Sequence, residues 1–244
     1  MSTRRSTGDS ARTPAASTEP SPDNDSLEAR AHRALVEWLT REHPQPGQPV
    51  PVREFARRLG MSRTPVRSAV GRLRERGLLA HDPVAGFTVA IPSLSSLYEL
   101  FELRLMIESH SLRVFAERPD LKPPAVLREL VEEAEKLAPV AIQDPDRYID
   151  FRHNDGRFHR ALVELAGLPK LLALYDDLHL SIHVTRAGME APLTPTRLDS
   201  AVAEHQAIVD ALESGERERA RSLLEAHILR VRDQTIVFMS RPRL

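Results

Sequence analysis

The chain has 244 residues, a net charge of -1, 41% hydrophobic and 5% aromatic residues, and no cysteine. That length is comfortable for two domains, and the missing cysteines exclude disulfides and thiolate chemistry. No apolar run approaches the roughly 20 residues that span a bilayer, and the start, MSTRRSTGDSARTPAASTEPSPDNDS, lacks the apolar segment of a signal peptide, so a cytoplasmic protein with no membrane partner is expected.

Residues 1–28, rich in Ser, Thr, Pro and Ala without an apolar period, read as a disordered tail. From Ala29, the side shared by Ala34, Leu35, Trp38 and Leu39 predicts a helix, stopped by the prolines and glycine of HPQPGQPVP. VREFARRLG predicts a short helix ending on Gly60. MSRTPVRSAVGRLRERG predicts a third, with Ser62 as N-cap, Pro65 in the first turn and Gly77 as its close. LLAHDPVAGFTVAIP then reads as two short strands around a Pro-Val-Ala-Gly turn.

Helix, short helix, capped helix and hairpin over residues 29–92 describe a winged helix-turn-helix. This segment holds eleven arginines, no lysine and five acids, a net +6, whereas the tail is -2 and residues 93–244 are -5. A basic module on an acidic one implies that the first alone meets a polyanion. The capped helix would enter the major groove of double-stranded DNA by its N-terminus, presenting Ser62, Arg63, Thr64 and Arg67. Arginines four apart project together and can grip phosphate or both acceptors of guanine. Arg53 can reach the backbone or an outer base, while Arg72, Arg74 and Arg76 are read as meeting phosphates or solvent.

The stretch VREFARRLGMSRTPVRSAVGRLRERGLL, followed by AGFTV, resembles the DNA-binding domain of the GntR family of bacterial transcription regulators over about residues 30–91. The resemblance implies that Arg53, Arg63, Thr64 and Arg67 touch DNA and that Gly86 is the wing-tip glycine entering the minor groove. Ala85 stands where the family usually has Arg, which removes a wing contact, and Ser68 replaces a usual Glu.

From Ser93 onward the pattern is helical, with helices expected near 95–117, 124–138, 145–166, 169–188, 196–213 and 216–239, broken at prolines and glycines. Six antiparallel helices with short loops make a bundle. The expected fold class is mostly α: an N-terminal winged helix-turn-helix and a C-terminal antiparallel helical bundle over 93–244.

Four polar residues fall on apolar stripes of this bundle. Asp155 and His159 are four apart and share a face with Phe151, Phe158, Leu162 and Ala166. His205 lies with Val202, Val209 and Leu212, and His227 with Leu223, Leu224 and Val231. Burying all four unpaired would cost several kcal/mol. A divalent cation would satisfy them together, and three imidazoles with one carboxylate suit Zn, Ni, Mn or Fe rather than Ca. A hydrogen-bonded cluster is the plainer alternative. His153 lies about 200° round the helix from Asp155, and His179 with His183 forms a rival pair on the next helix. Arg104 shares an inward stripe with Leu97, Leu100, Phe101 and Glu108; it is either an i,i+4 partner of Glu108 or a bidentate grip on a carboxylate ligand.

The D-x-x-x-H pattern, the His in HQAIVDALESGERERA and the His in LLEAHI resemble the FCD effector domain, which defines the FadR-like branch of the GntR family. That resemblance implies metal ligands at Asp155, His159, His205 and His227, an effector contact at Arg104, and the shorter, six-helix variant of the domain. Leu168 departs from the AG-N-P pattern common there. It further implies a homodimer on a pseudopalindromic operator, a small organic-acid effector, and repression relieved by that acid. No enzymatic activity is expected. The competing readings are a metal-dependent enzyme with a DNA-binding appendage, against which no carboxylate or lysine stands poised as a general base, and a regulator whose metal is purely structural.

Overall fold

The computed structural model describes residues 26–42, 44–187 and 194–240, side chains included except at 145, 180 and 182–187. The expected tail lies outside the described residues up to Asp25, and helix begins at Leu27, two residues before the sequence pattern placed it.

Helix α1 (Leu27–Arg41) starts where the Ser26 hydroxyl accepts from the Ala29 amide, and it buries Ala31, Leu35, Trp38 and Leu39. These pack on α2 (Val52–Arg58) and α3 (Arg63–Glu75), with Trp38 edge-on to Phe55 at 5.9 Å. Ser62 occupies the cap position of α3, but its side chain makes no capping hydrogen bond, contrary to the sequence expectation. Strands β1 (Leu79–Asp82) and β2 (Gly86–Val89) pair antiparallel, Leu79 opposite Val89 and Asp82 opposite Gly86. At the tip, the Asp82 carboxylate accepts from the Val84 and Ala85 amides at 2.8 and 2.7 Å, and Gly86 takes φ +78°, a left-handed conformation that suits glycine.

The second body consists of α4 (Leu94–Ala116), α5 (Val126–Ala141), α6 (Pro145–Glu164), α7 (Pro169–Ala187), α8 (Pro195–Glu213) and α9 (Arg217–Met239). Each lies within a few residues of its expected span. The departure is Pro139, read as a helix breaker, over which α5 continues to Ala141. A proline inside a helix forfeits one backbone hydrogen bond, at about 3 kcal/mol. Here Ala134, Ala138 and Ala141 keep a continuous buried face against Phe151, Leu198 and Val202, and that packing holds the last turn in register.

The bundle core runs from Leu97, Phe101, Leu112 and Phe115 of α4 through Phe158 and Leu162 of α6 to Leu224 and Ile228 of α9. Helix α4 packs along α9, α5 against α6 and α8, and α7 closes one side against α4 and α6. Arg217, at the start of α9, donates to the carbonyls of Phe115, Arg118, Pro119 and Leu121, and its guanidinium lies 4.3 Å from the Phe115 ring centroid. It thus satisfies the open carbonyls at the end of α4. Helix α7 also meets the first body, packing against α1.

Candidate metal centre and nucleic-acid interface

Three helices bring the four inward residues to one point. The i,i+4 spacing on α6 stacks Asp155 beneath His159, α8 supplies His205, and α9 supplies His227. One ligand atom from each lies within 4.8 Å of all the others. The closest approaches are His205 Nε2 to His227 Nε2 at 3.4 Å, His205 Nε2 to Asp155 Oδ1 at 3.7 Å, and His159 Nε2 to Asp155 Oδ1 at 3.8 Å. Tetrahedral ligands at bond lengths of about 2.1 Å sit about 3.4 Å apart, so the spacing fits a first-row divalent ion.

The surroundings orient the rings the same way. His159 Nδ1 lies 2.7 Å from Glu108 Oε2 and His227 Nδ1 2.6 Å from Glu204 Oε2, which turns both Nε2 atoms towards the shared point. A carboxylate behind a ligating imidazole fixes its tautomer and raises its basicity. His159 Nε2 is buried without a hydrogen-bond partner, an atom that a cation would satisfy. The three histidines are each at most 2% exposed. Burial pushes His227 down to about 4 and His205 well below its ordinary value, so both stay neutral, as ligation requires. A metal held here would supply positive charge and open coordination positions for an anionic ligand.

The two supporting carboxylates escaped the sequence reading in this role. Burial opposes charge on Glu108, but His159 and Arg104 beside it hold it at about 2. It also accepts from the Tyr175 hydroxyl at 2.8 Å. Glu204 is likewise opposed by partial burial and held at about 2 by hydrogen bonds from His227 and Arg230. Glu108 carried a signal, its place on an inward stripe; Glu204, next in sequence to an inward histidine, carried none.

Arg104 is 3% exposed, and its one described hydrogen-bond acceptor is Glu108, reached through Nε at 2.8 Å. The i,i+4 pair therefore forms, but buried beside the cluster rather than on the surface. His179, read as half of a rival pair with His183, lies against Gly156 of α6. Its ring stacks on Tyr175 and fills the space that a Cβ at Gly156 would need, next to Asp155. The side chain of His183 lies outside the described residues. His153 faces elsewhere, with Nε2 3.4 Å from the Thr40 carbonyl of α1.

On the first body, Arg53, Ser62, Arg63, Thr64 and Arg67 are all exposed, and Gly86 lies at the wing beside them. The Arg67 guanidinium sits 5.6 Å from the Phe87 ring centroid, so β2 of the wing braces an arginine of α3. Two arginines read as meeting phosphate or solvent are otherwise committed: Arg72 pairs with Glu28 at 2.7 Å, and Arg76 pairs with Asp177 of α7.

Residues 99–230 match the FCD domain family, and residues 27–89 match the bacterial regulatory proteins of the gntR family. The chain belongs to the GntR family, with an FCD domain. It is 32% identical over 182 residues to the "Probable D-xylose utilization operon transcriptional repressor" of Paenarthrobacter nicotinovorans, covering 75% of this chain and 76% of that protein. It is 25% identical over 186 residues to the "Uncharacterized HTH-type transcriptional regulator YdhC" of Bacillus subtilis, covering 75% and 79%. A crystal structure of a GntR transcriptional regulator from Rhodococcus sp. RHA1 shares the fold, with a TM-score of 0.75 at 21% identity over 88% of this chain and 99% of that one. The GntR-FCD chain is thus a DNA-binding transcriptional regulator, and the enzyme reading falls: the matched gntR family is one of bacterial regulatory proteins, and both curated relatives named above are transcriptional regulators. No described helix is long and apolar enough to cross a membrane.

Proposed function

We propose that this regulator works as a homodimer on a pseudopalindromic operator and releases it in response to a small organic acid bound at a metal centre. Asp155, His159, His205 and His227 hold a divalent transition metal, of which Zn, Ni, Mn and Fe suit the ligand set. Arg104 holds Glu108, and through it His159, and offers its remaining guanidinium N–H groups to the acid. Arg53, Ser62, Arg63, Thr64, Arg67 and Gly86 form the DNA face. The observation that carries this reading is the buried His159 Nε2, which has no hydrogen-bond partner and lies within 4.8 Å of a ligand atom from each of Asp155, His205 and His227.

Such an acid regulates only if it binds the DNA-competent and DNA-incompetent states unequally. Elemental analysis of the purified protein beside the His205→Ala/His227→Ala variant tests the centre. About one transition metal per chain, absent from the variant, supports it; no metal in either protein after reconstitution overturns it.

A further inference from the structure

The wing differs in charge from the rest of the head. Residues 29–92 carry a net +6, yet residues 79–89, the two strands and their turn, contain no arginine and no lysine. Their one acid is Asp82, and their one basic side chain is His81. The backbone amides of Ala85 and Val84 hold the Asp82 carboxyl below its ordinary range, so it stays ionised at neutral pH. A hairpin bearing that single negative charge is repelled by the phosphates that the arginines of α3 approach. Protonation of His81 is the change within the wing that cancels it.

His81 is placed to meet the same DNA. Side chains alternate between the faces of a strand, and Leu79 is buried with Val66, Ala69, Val70 and Leu73 of α3. His81, two residues on, therefore lies on the face of the hairpin that turns towards α3, and it is exposed beyond the edge of that core. It stands opposite Phe87 of β2 in the register, and the two rings meet edge-on at 5.3 Å. The same Phe87 ring carries the Arg67 guanidinium at 5.6 Å. Arg67, Phe87 and His81 thus form one row that continues the exposed surface of α3 onto the wing.

We propose that His81 is a DNA contact of the wing, binding a phosphate in its protonated form, so that acidification strengthens operator binding. This rests on the reading of α3 as the helix that enters the major groove. Imidazole is the side chain whose ordinary titration falls between about pH 5 and 8, and a phosphate beside it favours the imidazolium. Among the described contacts, the charged groups around the ring are Arg67, across Phe87, and Asp82 on its own strand. Residues 47–50, which border β2 on its other edge, carry no charge. Arg67 opposes the proton and Asp82 favours it; a bound phosphate tips that balance towards the proton.

The test is fluorescence anisotropy with the full chain and a duplex that the wild type has selected from a random-sequence library, at about pH 6 and about pH 8 and fixed salt. The chain has ten histidines, so the readout is the affinity ratio of wild type to His81→Gln at each pH rather than the wild-type profile. That ratio is expected to be about three- to tenfold at the lower pH and within about twofold at the higher. The slope of log affinity against log salt should be shallower in His81→Gln by about 0.9, at the lower pH only. His81→Lys, charged at both pH values, should bind about threefold or more tighter than His81→Gln at the higher pH. Because His81 is exposed, both variants are expected to keep the wild-type melting curve. A ratio that is the same at both pH values overturns the proposal, as does His81→Lys binding no better than His81→Gln at the higher pH. Arg63→Ala with Arg67→Ala is measured beside them: operator affinity retained there would sink the underlying reading of α3, whatever the histidine variants show.

Discussion

Asp177 of α7 is ion-paired with Arg76, the residue that closes α3. Two positions earlier, Tyr175 donates to Glu108, which holds His159. Helix α7 therefore touches both Glu108, the carboxylate behind His159, and Arg76 at the end of α3. The side chains of Arg76 and Asp177 are 34% and 59% exposed, so their pair adds at most about 1 kcal/mol to stability. Asp177→Ala should leave the melting temperature nearly unchanged and reduce the difference in operator affinity between zinc-loaded and metal-free protein. Fluorescence anisotropy on selected operator DNA would measure it; an unchanged difference removes this contact from the coupling.

Arg63→Ala with Arg67→Ala should abolish specific operator binding with the fold intact. Each well-made arginine contact to a base is worth about 1–3 kcal/mol, so the double variant should lose a hundredfold or more while its circular dichroism is retained. Phe87→Leu, which removes only the ring braced against Arg67, should cost a smaller factor, in line with about 0.5–1 kcal/mol for an exposed cation–π contact. Full operator affinity in the double variant would place the DNA face elsewhere.

Glu108→Gln should weaken metal binding by about 10–100-fold, the usual effect of removing the carboxylate behind a ligating histidine. It also leaves the buried Arg104 without its charge partner, and breaking such a pair costs about 3–5 kcal/mol. Chemical denaturation and competition with a chromogenic chelator report the two effects separately. Metal affinity equal to wild type would show that His159 is oriented without Glu108.

Acid should destabilise the metal-free protein in a defined window. Burial holds His179 and His227 at about 4, below the ordinary 6.5 of an unfolded chain. The unfolded state therefore takes up protons first, and stability, complete above about pH 6.5, falls as pH drops towards 4. Glu108 and Glu204, both held at about 2, extend the loss below about pH 4.5, where an unfolded carboxylate begins to protonate. Unfolding free energies from urea denaturation of chelator-treated protein at neutral and mildly acidic pH should differ by about a few kcal/mol in total, and a flat profile would contradict the burial of these rings.

Gly156→Ala should be strongly disruptive for a single methyl group. The His179 ring occupies the space the added carbon needs, so either the ring turns out or α7 shifts. Overpacking of this kind costs about 1–3 kcal/mol. A melting curve indistinguishable from wild type would mean that the ring has room to move.

The bundle was largely legible because its apolar stripes repeat at helical spacing and its loops carry proline or glycine, as at Gly167–Pro169 and Gly215. Asp155, His159, His205 and His227 were legible for the opposite reason, as polar breaks in those stripes. Relations between helices were not. Nothing in the local pattern says that Glu204 reaches back to His227, or that Arg76 turns from DNA towards α7, because both pairings depend on how helices cross. The Pro139 break failed for the same cause: tertiary packing of Ala138 and Ala141 outweighed a local rule.

Arg217 knots the end of α4 to the beginning of α9 through carbonyls on both sides of the turn. Mechanically, this makes the two longest helices a single strut. One end of that strut carries Leu94, five residues beyond the last residue of the wing, and its interior carries Arg104, Glu108 and His227. A displacement imposed at the ligand atoms cannot be absorbed by slippage between α4 and α9 without breaking the knot.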